Sequence, residues 1–435
     1  MFVTCLAAFS SLITFDAPPC YLVPEEGTVE RHVSVNFTIS IKQRNLEQLE
    51  EAALAVSSPR SARYGKHLSK EEIERLTAPS PNDSNTVTRW LSSHGARFTL
   101  QRELARVSTT VEIAERMLHT TFRRFRKGSG TQLLRAGAYK LPKAIDAAIS
   151  TIFGLHGAPL PTLPKSATPT AANLPTATSP SSPADVTPAV IASTYSIRQS
   201  VDRNGTNLQA VAEFQANRMA KEDLAAFFEK FVPASMPGDE QVSRFVGSPY
   251  KRGAGVEADL DVQYLMGVAP GVKTEFWEYE SNDFCADLHS YTSAILDSET
   301  PAHVHSLSYG WQGNLSQVRS IPKRNPRSNQ AKVSNEAESD SMRTFKLILS
   351  QSLTHRTQVG CRAVDVSAVD INLAKLAARG ISMVVSSGDS GAGIPLDPGC
   401  DPSDPHAMTK DIEVAMHPHL NSHPLLPCSW RSAPS

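Results

Sequence analysis

Val256-Glu257-Ala258-Asp259-Leu260-Asp261-Val262-Gln263-Tyr264-Leu265-Met266 is followed, after Gly267-Val268-Ala269-Pro270-Gly271, by Val272-Lys273-Thr274-Glu275-Phe276-Trp277-Glu278-Tyr279. The first segment reads as a helix and the last as a strand. Upstream, Asn207 to Phe214 is strand-like and Lys221 to Phe231 helical. Downstream, His303 to Tyr309 reads as a strand, Ala368 to Arg379 as a helix and Ile381 to Ser386 as a short apolar strand. Strands alternating with helices predict a parallel α/β sheet.

The residues before this unit follow a different pattern. His32 to Ile41 alternates, with Val33, Val35, Phe37, Ile39 and Ile41 on one face, as an amphipathic strand does. Leu46 to Val56 carries a helical stripe, Ser69-Lys70-Glu71-Glu72 a capping box, and Thr86 to His94 a third helix. Arg106 to Thr110 leads into a helix from Val111 to Leu118. The expectation is a compact α+β domain over residues 30–157. Residues 158–185 are dense in Pro, Thr, Ser and Ala, which bury too little apolar surface to offset ordering, so they read as an exposed linker.

The 435 residues carry 40% hydrophobic and 20% charged side chains, as a soluble globular protein does. A formal charge of −1 argues against a nucleic-acid partner, but it hides an asymmetry. Residues 30–157 hold 20 Lys and Arg against 12 Asp and Glu, and residues 186–318 hold 9 against 17. A basic unit beside an acidic one suggests that the two dock. Residues 1–17 are apolar and short, and read as a secretory signal peptide; no later run is long enough to span a membrane. Six cysteines permit disulfides but dictate no pairing and have no metal-ligand spacing. Sequons at Asn36, Asn82, Asn204 and Asn314 are compatible with secretion.

The chemistry lies in carboxylates. Glu257 and Asp261 stand one turn apart on one helical face, where Lys or Arg is the usual partner of an acid. Two close carboxylates share a proton and split their pKa values, so that one acts as a base while the other orients it. The bland reading is a solvated helix face. Asp389 follows an apolar strand, inside Ser387-Gly388-Asp389-Ser390-Gly391-Ala392-Gly393, where a protonated carboxyl donates to an oxyanion or merely caps a turn. No Ala-Ala-His-Cys segment supplies Ser390 with an upstream histidine base, no His-Glu-x-x-His helix exists, and His417, His419 and His423 lie among prolines.

These residues together resemble the sedolisin family of serine-carboxyl peptidases. The motifs are Glu257 to Tyr264 with Ala269-Pro270-Gly271, Ser308-Tyr309-Gly310, the Asp389 turn, and Ser58-Pro59-Arg60-Ser61-Ala62-Arg63-Tyr64-Gly65-Lys66-His67-Leu68. The resemblance covers about Arg31 to Gly393. It implies a ferredoxin-like α+β propeptide followed by a subtilisin-like α/β catalytic domain over residues 186–393. Glu257 is then the base, Asp261 its orienting partner and Asp389 the oxyanion donor. It also implies peptide or protein substrates, a propeptide docked on its own catalytic domain, calcium as the metal, and a secreted or lysosomal setting.

Two departures qualify this. No Gly-Thr-Ser-x-Ser segment follows Asp389, so the nucleophile and the later calcium site are expected to be missing, the catalytic domain incomplete and the chain inactive. Residues 394–435 form an irregular tail. Residues 318–358 interrupt a strand and helix that adjoin in the family, and Gln317-Val318 and Gln358-Val359 flank them, as a retained intron or an inserted loop would. The competing reading is a non-catalytic propeptide-bearing binder or inhibitor.

Overall fold

The computed structural model describes residues 22–127, 131–159, 186–197, 201, 203, 206–253, 255–309 and 362–386. Of the linker, residues 160–185 lie outside these residues, as do the 318–358 stretch, Asp389 and the tail, while Ala158 at its start is buried instead of exposed.

The alternation predicted near the N-terminus becomes the strand β2 (Ser34–Ile41), with Val35, Phe37, Ile39 and Ile41 buried. It pairs antiparallel with β4 (Leu104–Thr110) and β7 (Ile149–Phe153), and β3 (Arg97–Gln101) extends the sheet in the order β3-β4-β2-β7. Helices α3 (Pro81–Ser93) and α4 (Val111–Leu118) contribute Val87, Trp90, Leu91, Met117 and Leu118 to one core with these strands. Helix α1 (Leu46–Ser57) precedes α2 (Lys70–Thr77), whose capping box closes as expected between Ser69 and Glu72. The helix expected from Thr86 starts earlier, because Ser80 accepts from the Asp83 amide and Pro81 suits the first turn. A second antiparallel sheet of β1 (Leu22–Pro24), β5 (Phe122–Lys127) and β6 (Thr131–Ala136) had no alternating pattern to announce it. Helix α5 (Lys143–Ala148) precedes β7.

The later residues form the parallel sheet. Strands β8 (Leu208–Phe214), β9 (Arg244–Val246), β10 (Lys273–Tyr279), β11 (Val304–Leu307) and β12 (Ser382–Val385) lie in the order β12-β11-β8-β10-β9. Helix α6 (Pro188–Thr194) leads in; α7 (Lys221–Phe231) and α8 (Val256–Val268) share a core on one face. Helices α9 (Phe284–Asp297) and α10 (Ala363–Ala378) share the other core. Helix α10 begins before the expected Ala368, its first turn fixed by Asp365 accepting from the Arg362 amide at 2.9 Å.

The expected docking between the parts is present, yet its charge is not one-sided. Leu49, Ala53 and Ile73 pack against Ala378 of α10. Arg102 reaches Asp297 at 2.5 Å, with the cation on the first part. Lys375 reaches Glu103 at 2.9 Å, with the cation on the second. Arg362, also on the second, donates to the Tyr139 hydroxyl at 2.8 Å and the Ile152 carbonyl at 2.9 Å. Arg135 crosses the other way to the Asn282 carbonyl at 2.9 Å.

Candidate active site

Open α/β sheets gather functional groups beyond the carboxyl ends of their strands. Strand β8 is the middle strand, and the last residues of its run, Glu213 and Phe214, lie at that end. Glu213 is fully buried. After it the backbone reverses through Gln215 and Ala216, both with positive φ (59° and 60°), an uncommon conformation for such residues. Asn217 then meets the chain entering α8. The Gly255 amide donates to the Arg218 carbonyl at 2.9 Å, and a Cβ on Gly255 would fall 1.8 Å from Asn217 Oδ1. Only glycine permits that approach, and the approach sets the start of α8 against the end of β8.

Three carboxyl groups therefore converge. Glu257 and Asp261 project from α8, and Asp261 is hydrogen-bonded to Glu213. A hydrogen bond between two carboxyl groups requires a proton on one of them. Burial, followed by the charge of Asp261 and then that of Glu257, pushes Glu213 well above the ordinary carboxyl range; the Tyr309 hydrogen bond opposes the shift. Glu213 is thus held toward its protonated form. The Tyr309 hydroxyl donates to Glu213 Oε2 at 2.8 Å, while Asn217 Nδ2 donates to the Tyr309 oxygen at 2.9 Å. Asn217 fixes the direction of the relay. Burial, then the Glu213 charge, raises the Tyr309 pKa, which keeps it a donor.

The sequence placed Glu257 and Asp261 on one face, and the structure brings both to the same cluster. It missed Glu213, whose signal was a lone acid in the apolar run Gln209-Ala210-Val211-Ala212-Glu213-Phe214. Tyr309, noticed only within a motif, is the hydroxyl that holds it. Asp259, between the two expected acids, does something else: its Oδ1 accepts from the Ala220 amide at 2.9 Å. Ala220 is the N-cap of α7, so Asp259 satisfies one of the amides that lack an intrahelical partner at that end. Asp389, Ser390 and the three tail histidines fall outside the described residues. Among the described residues no group of three or more His, Cys, Asp or Glu side chains is placed to hold a metal ion.

Comparison with known proteins agrees with this layout. Residues 24–157 match the family described as Pro-kumamolisin, activation domain. Tripeptidyl-peptidase 1 of Mus musculus is 30% identical over 379 residues, covering 84% of this chain and 58% of the relative. The Rattus norvegicus protein of the same name is 29% identical over 385 residues with the same coverage. The Homo sapiens one is 28% identical over 378 residues, again covering 84% and 58%. The chain spans 58% of the length of these relatives. A propeptide of antiparallel α+β type followed by a subtilisin-like parallel α/β sheet is the class that the fold defines. Over 84% of its length the chain is similar to these sedolisin-type peptidases, and residues 24–157 carry the activation domain.

Proposed function

We propose that this chain is a proenzyme portion of an acid serine-type peptidase, with Glu257 as general base, Asp261 as its orienting partner and Asp389 as oxyanion donor. The observation that supports the reading most is the buried Glu213, pushed toward its protonated form and hydrogen-bonded to Asp261 beside Glu257. A carboxylate base serves a serine only if a neighbour keeps it ionised and aimed. Glu213, held by Tyr309, stores the proton that permits this. The role of Asp389 rests on the family resemblance alone, as do the serine nucleophile and calcium, neither of which this chain is proposed to supply. Substrates are peptides or proteins, and the choice between tripeptide release and internal cleavage is left open.

The domain limits proposed are 30–157 for the propeptide, 158–185 for the linker and 186–393 for the catalytic part, with 318–358 as the insertion. The setting proposed is secretory, either extracellular or lysosomal. Cys285 is disulfide-bonded, which suits an oxidising compartment. Among the described residues no helix is long and apolar enough to cross a membrane.

The test is hydrolysis of peptide substrates at pH ~4, with Glu257→Gln as the control. The 435-residue chain is expected to show no turnover by itself. Joined to the serine-bearing remainder of a relative, it is expected to turn over, and Glu257→Gln to abolish this. Failure of the joined protein, together with inhibition of an active relative by the 435 residues, would replace this reading with that of a propeptide-bearing binding protein.

A further inference from the structure

One face of the propeptide sheet is divided between two environments. Ser34, Asn36, Thr38 and Ser40 alternate with the core residues of β2 and share the opposite face. At the Ser40 end this face is covered: Ser40 is 1% exposed, and Thr151 on the neighbouring strand is 3% exposed where Arg362 and Asp365 reach it. At the Asn36 end the face is open. Strand β7 pairs with β2 only from Thr38 onward, whereas Asn36 still lies opposite Ser108 of β4. The result is an open groove of about 920 Å³. Ser34, Asn36, Thr99, Arg106, Ser108 and Asn282 are among the residues that line it.

Asn36 begins the sequence Asn36-Phe37-Thr38. The strand places the acceptor amide and the Thr38 hydroxyl on the groove side and sends Phe37, 4% exposed, into the core. A substituent on Asn36 therefore enters the groove without disturbing the packing beneath it. The groove floor offers hydroxyls and a guanidinium, which suit a polyhydroxylated ligand.

We propose that Asn36 is an N-linked glycosylation site whose innermost sugars lie in this groove. The inference rests on the secretory reading above. The Asn36 amide nitrogen forms a bond to the anomeric carbon of a lipid-pyrophosphate-linked oligosaccharide and gives up one proton. The anomeric carbon–oxygen bond breaks, and the lipid pyrophosphate leaves with the electron pair; nothing is oxidised or reduced.

The experiment uses the full chain secreted from a eukaryotic host, deglycosylated enzymatically in heavy-oxygen water and mapped by peptide mass spectrometry. Asn36 is expected as labelled Asp, and N36Q is expected to lose one glycan's worth of gel mobility shift while N82Q leaves the Asn36 label in place. Glycan release from Asn36 is expected to be many-fold slower in the native chain than after denaturation. A secreted chain labelled at other sequons but bare at Asn36 overturns this inference alone. Equal release rates overturn the groove placement. A chain retained in the cytosol without glycan overturns the secretory reading and this inference with it.

Discussion

Lys375 Nζ lies 2.9 Å from Glu103 Oε1, and each side chain is only 5% exposed. The pair joins helix α10 of the catalytic part to the turn between β3 and β4 of the propeptide sheet. Burial works to raise the Glu103 pKa, but the Lys375 charge, with Arg102 behind it, more than offsets this and holds it below its usual value. Glu103→Gln leaves the ammonium buried without its partner and is expected to destabilise the folded chain by about 3 kcal/mol. Glu103→Leu combined with Lys375→Met is expected to recover most of that loss. Denaturant unfolding of the three chains decides between this and a weak surface-like pair, which would cost under about 1 kcal/mol either way.

Acid acts on the interface through histidine. His289 on α9 stacks on Phe153 of the propeptide, ring centroids 4.3 Å apart and 27° from parallel. Burial lowers its pKa to about 4; Glu103 and Asp365 work against this shift, while Lys375 and Arg106 support it. The folded pKa lies below the unfolded value of 6.5, so the stabilising contribution is full above that value and is lost as pH falls toward 4. At pH ~5 this amounts to roughly 2 kcal/mol. His289→Phe is expected to flatten the fall in stability between pH 7 and 5, measured as unfolding free energy at each pH. An unchanged slope would remove His289 from the account.

Asp287 works in the opposite sense. Burial, then the neighbouring Asp283 charge, raises its pKa to about 7, against hydrogen bonds from Ser281. A raised carboxyl binds its proton more tightly when folded, so its effect favours the folded state increasingly as pH falls from 7 toward its ordinary value. Asp287→Asn is expected to steepen the acid-side loss of stability, because the compensating uptake of a proton is gone. The same titration series reads both variants.

Tyr309 supplies the hydroxyl that Glu213 needs. Tyr309→Phe is expected to cost about 1–3 kcal/mol, since a buried acceptor loses its donor. It should also raise the Glu213 pKa further, because that hydrogen bond is the influence opposing the rise. Infrared titration of the protonated carboxyl band measures this directly; a band unmoved by the substitution would show that the two groups are not coupled.

Gly255→Ala tests how α8 is aimed. The new methyl would lie 1.8 Å from Asn217 Oδ1, so either Asn217 or the start of the helix must shift. A loss of about 1–3 kcal/mol is expected, together with weaker coupling between Asp261 and Glu213. Asn217→Ala in the same chain should relieve the clash and recover part of the stability.

The elements legible in the sequence were those with one dry face and one wet one. β2 alternates, the Ser69 capping box announces α2, and the run from Val256 to Tyr279 gives a helix and then a strand as read. Helix α9 left no such trace because it is buried on several sides, including Asp287, His289, Thr292 and Ser293. Its polar residues sit where a stripe argument expects apolar ones. Glu213 was hidden for a related reason: in a strand buried on both faces, one acid looks like an exception rather than a site. The acids Glu257 and Asp261 were visible because their i, i+4 spacing survives in the chain order, whereas their partner comes from a strand more than forty residues earlier.

Helix α9 is also finished by another part of the chain. The Asp283 side chain accepts from the Ala286 amide at 3.0 Å and from the propeptide Gly154 amide at 3.2 Å. The Phe284 amide donates to the Ala158 carbonyl at 3.0 Å. One turn of one helix thus draws its satisfied ends from both sides of the boundary. Detaching the propeptide hands those groups back to water at the moment the helix loses its stacked neighbour. The two parts should therefore melt as a single cooperative unit, with one calorimetric transition instead of two.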